Sequence, residues 1–131
     1  MIIDTLRLDE DTKRRLTSLK RRTGILQWNI LGRWAFCISI SSDHVISSTH
    51  DHPTSSVEMT WKVFAGQNSK VYEALVLQSH FFARKIGFTG SVHDTVSEHI
   101  RNGASILLTG KKAVNDCKSL LFGAVGELKS K

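Results

Sequence analysis

The chain has 131 residues, 40% hydrophobic and 23% charged, with a net charge of +6, which suits one folded domain over 1–131 and excludes wholesale disorder. It holds no apolar run of about 18 residues, and its opening MIIDTLRLDEDTKRR lacks a basic stretch followed by an apolar one, so neither a membrane span nor a secretory signal is expected. Cys37 and Cys117 are too few for a disulfide framework and too isolated for a zinc knuckle, so the chain reads as a cytoplasmic protein whose basic balance favours a polyanionic partner, nucleic acid before acidic membrane.

In chain order, Ile2 to Leu8 alternates, with Asp4, Leu6 and Leu8 on one side, which predicts a short strand. The run DEDTKRRLTSLKRRTG predicts a helix. Asp9 can cap it, Glu10 and Asp11 suit its positive end, and Gly24 suits a left-handed stop. Thr12, Leu16, Leu19 and Thr23 fall on one face as a narrow stripe. A second helix follows over Ile25 to Ser41, so apolar on every side that it should be buried in the core or against another subunit. Residues 42–56 carry Ser, His, Asp and the single proline, Pro53, and read as a loop. Val57 to Phe64 alternates again, either as a strand pairing with the first or as a loop leading into a helix. Helices are predicted at about 68–86, 91–108 and 111–122, punctuated by Gly87, Gly90 and Gly110. The expected fold is therefore mainly α, a compact helical domain with a ribbon-helix-helix-like start and a second short strand near 57–64.

The block Lys13 to Arg33 holds seven basic residues (Lys13, Arg14, Arg15, Lys20, Arg21, Arg22 and Arg33) and no acidic one. Its two triplets lie seven residues apart, about two helical turns, so their members stack along the helix. A solvated helix face normally alternates its cations with Glu and Asp. A face without those acids matches a phosphate backbone.

Signatures of enzymes are missing: the sequence has no G-x-S-x-G, H-E-x-x-H or G-x-G-x-x-G. GASILLTGKK, Gly103 to Lys112, has glycines too far apart for a phosphate loop, and Lys112 stands where a magnesium-binding hydroxyl should. His44, His50 and His52 with Asp43 and Asp51 could clip a metal, but an exposed loop is the plainer reading. His80, His93 and His99 match no ligand spacing and read as surface or partly buried, and Cys37 reads as a core thiol. Trp28, Trp34 and Trp61 could stack on bases, although packing or subunit contact fits their apolar neighbours better. No catalytic residue, metal ligand or cofactor is expected.

LKRRTGILQWNILGRWAFCISIS (Leu19 to Ser41), VEMTWKVFAGQNSKVYEALV (Val57 to Val76) and HIRNGASILLTG (His99 to Gly110) resemble the signature segments of the DndE family. That family is the small subunit of the bacterial DNA phosphorothioation system, which replaces a non-bridging phosphate oxygen with sulfur. The resemblance covers residues 2–110 and leaves the tail 111–131 without a role. It implies a mostly helical homotetramer that binds duplex DNA without strict sequence preference and favours nicked DNA. It also implies association with the sulfur-transfer and ATPase subunits, which carry the chemistry. The DNA-contact role transfers only to the basic block Lys13 to Arg22; within the whole reading Lys13, Arg14, Lys20, Arg21 and Arg22 hold the backbone, with Arg15 and the strand residue Arg7 as lesser candidates. Three rival readings remain: a ribbon-helix-helix repressor, a metal-dependent nickase built on the histidine loop, and a scaffold meeting an acidic protein partner.

Overall fold

The computed structural model describes residues 3–42, 44–48 and 52–121. Its elements run β1 (Thr5–Asp9), α1 (Glu10–Thr23), α2 (Trp28–Ser41), β2 (Thr54–Thr60), α3 (Trp61–Ala65), α4 (Ser69–Lys85) and α5 (Val92–Leu108), with 3-10 turns at Gly66–Asn68 and Gly110–Lys112. The fold is mainly α-helical, with one two-stranded antiparallel ribbon packed beside the helices.

β1 pairs with β2 of the same chain, Leu6 opposite Met59 and Arg7 opposite Glu58, with an irregularity between Arg7 and Asp9. Ribbon-helix-helix repressors instead build their ribbon across a dimer. The alternation of β1 sends Leu6 and Leu8 inward, where both are buried, each such side chain contributing about 1.5–3 kcal/mol. The second strand starts earlier than the alternation implies and ends at Thr60. There the Thr60 hydroxyl accepts the Val63 N–H, the Trp61 N–H donates to the Asp4 carbonyl at 2.9 Å, and the chain turns into α3. Trp61 and Phe64 are consequently core residues of a short helix, and Val63 lies outward, half exposed.

α5 is the central helix, with Val96, His99, Ile100, Gly103, Ala104 and Leu107 all buried. A Ser91–Asp94 capping box starts it. Its longest contact is with α2, and the two backbones meet so closely that a Cβ on Gly103 would sit 1.6 Å from the Ala35 carbonyl oxygen. Around this crossing lie Leu16 and Leu19 of α1, Leu31 and Phe36 of α2 and Val76 of α4.

Three expectations from sequence need correcting. Cys37 is exposed, with its thiol 3.6 Å from the Tyr72 hydroxyl, because α2 buries only the Leu31, Gly32, Ala35, Phe36 and Ser39 side. His99 is wholly buried. In place of one helix over 111–122, the chain makes a 3-10 turn at Gly110–Lys112 and becomes helical again at 117–121.

Candidate nucleic-acid interface

α1 is defined by local chemistry at both ends. The Asp9 carboxylate accepts the Thr12 N–H at 2.6 Å. Gly24, at φ 76°, closes the other end with its N–H on the Lys20 carbonyl, a left-handed position that glycine adopts without steric cost. Leu16, Leu19, Thr12 and Thr23 are buried, so the remaining directions are set by about 100° per residue. Positions seven apart nearly superpose, and the cations form three rows: Lys13 and Lys20 on one flank, Arg14 and Arg21 on the outer face, Arg15 and Arg22 on the flank towards α5.

These rows have different surroundings. Lys20 rests its ammonium over the Trp28 ring, 3.4 Å from the centroid, an attraction to the ring's negative face that leaves the charge accessible. Among the described residues, Lys13 and Arg21 have no ion-pair partner. Arg14 is bonded to Asp11 yet its side chain stays 75% exposed. Arg22 is exposed, but its tip reaches across to donate to the carbonyls of Leu108 at 3.0 Å and Val114 at 3.3 Å. There it satisfies the Leu108 carbonyl at the end of α5 and the Val114 carbonyl beyond the following 3-10 turn. Arg7 is paired with Glu58 across the ribbon and also donates to the Ser55 carbonyl.

The block is free of acids from Lys13 onward, but Asp11 lies two residues upstream and its side chain is only 5% exposed. It accepts from Arg14, from Arg15 Nε at 3.0 Å and from Arg101 Nε of α5 at 2.8 Å. His52 Nε2 stands 3.9 Å away. Burial alone would raise the Asp11 pKa; the hydrogen bonds and charges of Arg15 and Arg101 outweigh it and hold the carboxyl below its usual range. The spacings Asp11 to Arg14 and Asp11 to Arg15 are visible in sequence as i,i+3 and i,i+4 pairs. Arg101 carried no such signal and was missed.

The histidines separate. His44 is exposed at a 320 Å³ pocket with Ile40, Leu75 and Phe82, and His52 lies beside Asp11. His50, Asp43 and Asp51 fall outside the described residues. Among the described residues no group of three His, Cys, Asp or Glu side chains is placed to hold a metal, and no helix is long and apolar enough to cross a membrane.

Over residues 5–115 the chain matches the family profile described as DndE, DNA sulphur modification protein DndE. It is similar in fold to the crystal structure of DndE from Escherichia coli B7A involved in DNA phosphorothioation modification, with a TM-score of 0.66 and 20% identity over 82% of this chain and 98% of that one. A DndE glycine-to-lysine mutant involved in DNA phosphorothioation gives a TM-score of 0.61 and 15% identity over 80% and 98%. No curated protein matches the chain.

Proposed function

The chain belongs to the DndE family, and from that premise we propose that it is a non-catalytic, DNA-binding subunit of a DNA phosphorothioation machinery. In this reading it is a cytoplasmic homo-oligomer, a tetramer by family resemblance, that grips the backbone of intact or nicked duplexes through α1 and works beside the subunits that move sulfur. The observation that carries the reading is the pair of cationic rows on one capped helix, Arg14 with Arg21 exposed on the outer face and Lys13 with Lys20 half-buried along the adjoining flank. Such a row meets phosphates whatever the base sequence, and a nick presents phosphate and flexibility with no new base edge. Arg22, Arg15 and Arg7 spend donors on intramolecular partners, whereas Arg14 keeps its side chain 75% exposed despite its bond to Asp11, so Lys13, Lys20, Arg14 and Arg21 are the principal contacts.

Charge reversal at two positions tests it. Lys13→Glu with Arg21→Glu should leave the circular dichroism unchanged and weaken duplex binding at least about tenfold at ~0.1 M salt. The unaltered chain should lose affinity with salt at a log–log slope near −0.9 per phosphate neutralised. Unchanged affinity in the folded double variant would end the proposal.

A further inference from the structure

Asp11 gathers more positive charge than one carboxylate can neutralise. Arg14 approaches one of its oxygens, while Arg15 and Arg101 both donate through Nε to the other, at 3.0 and 2.8 Å. Three guanidinium groups against one carboxylate leave a net charge of +2 at this point. The bonding through Nε has a second consequence. Both Nη groups of Arg15 and of Arg101 lack an acceptor among the described residues, although these side chains are only 28% and 18% exposed. A partly buried guanidinium with unspent donors is costly unless an acceptor reaches it. Two such planes pinned on one oxygen are already oriented, so little rotamer freedom is lost when an oxyanion arrives.

We propose that Arg15 and Arg101, pinned by Asp11 and flanked by Arg14, form a second phosphodiester-binding site that extends the DNA contact from α1 onto α5. This inference rests on the DNA-binding reading of α1 and adds a residue from a different helix to it. The ligand chemistry is a singly charged phosphodiester, whose two non-bridging oxygens match the paired Nη groups of an arginine. Asp11 acts as a positioning residue. It holds the guanidinium planes and, being a weaker sum of charge than its partners, leaves the site cationic.

Arg101→Lys is the discriminating variant. Lysine keeps one ammonium for Asp11, so the link between α1 and α5 survives, but it has no fork left for a phosphate. With melting and circular dichroism close to those of the unaltered chain, its affinity for a short duplex should fall about tenfold, and its salt slope should become shallower by about 0.9. A purely structural salt bridge would leave that slope unmoved. Should Arg101→Lys not fold, Arg15→Lys reports on the same oxygen from α1, with the same expected result. A folded variant with unaltered affinity and slope overturns this inference; if Lys13→Glu with Arg21→Glu still weakens binding, the α1 reading stands without it. Failure of the unaltered chain to bind duplex at any salt sinks both. Competition by inorganic phosphate, with DNA binding of Arg101→Lys unaffected, would make this a free-phosphate site and overturn its assignment to DNA.

Discussion

His99 lies fully enclosed between α2 and α4, with Nδ1 2.7 Å from the Ser39 hydroxyl and Nε2 2.5 Å from the Ser79 hydroxyl. Asn102 donates to Ser39 and completes the row. Burial disfavours the imidazolium, with a smaller push from His44, and together they bring the His99 pKa down to about 4 from 6.5. The unfolded chain therefore binds a proton that the folded one refuses. Stability from this group is whole above pH 6.5 and declines as pH falls through 6.5 towards 4, a loss of roughly 3 kcal/mol. Asp11, held below the ordinary carboxylate range, loses its contribution only at still lower pH. Urea denaturation at neutral pH and near pH 4.5 should show the first loss, and His99→Gln should flatten it. An equal slope in that variant would place the acid sensitivity elsewhere. In sequence His99 was only one of several helical histidines, since its enclosure depends on serines 60 and 20 residues away.

At the scale of elements, the α2–α5 crossing depends on the absence of a side chain at Gly103. A methyl group there would meet main chain, not a side chain that could swing aside. Gly103→Ala should thus destabilise despite alanine's better helix propensity, by about 1–3 kcal/mol or more, since the helices must separate. Thermal melting measures it, and an unchanged or raised midpoint would refute the close crossing. Most elements were legible beforehand because their signals are local. Asp9 and Gly24 mark the ends of α1, and Leu16 and Leu19 mark its buried stripe. α3 was harder to read. The alternation of Val57, Met59, Trp61 and Val63 fits a continuing strand as well as a helix start, and the choice rests on Thr60 as a cap and on Asp4 receiving the Trp61 N–H.

At the scale of the whole molecule, charge and apolar surface occupy different places. α4 buries only Val76 and Ala83, and leaves Val71, Leu77, Phe81 and Phe82 between 45% and 58% exposed. Of these, Phe81 and Phe82 lie ring to ring and Leu77 lines a pocket with Phe81, and exposed apolar side chains grouped in this way mark a contact surface. If the proposed homo-oligomer forms, this face is a candidate for contact with a second copy, beside the second helix, whose apolar composition suits the same role and whose open side carries Trp34 and Cys37. Phe81→Ser with Phe82→Ser should lower the mass found by light scattering and, through lost avidity, weaken duplex binding. A double variant of unchanged mass and affinity would remove α4 from the assembly.

What the sequence determined by itself was whatever depends on neighbours within a turn or two: the helical periods, the caps of α1, the inward leucines of β1 and the density of cations between Lys13 and Arg22. Only the tertiary structure decided which of those cations have their donors engaged elsewhere in the fold. Arg22 is engaged by carbonyls from as far as 92 residues away, and Asp11 by an arginine 90 residues away. A side chain's charge is written in its residue type, but its availability depends on which distant groups folding brings within hydrogen-bond reach.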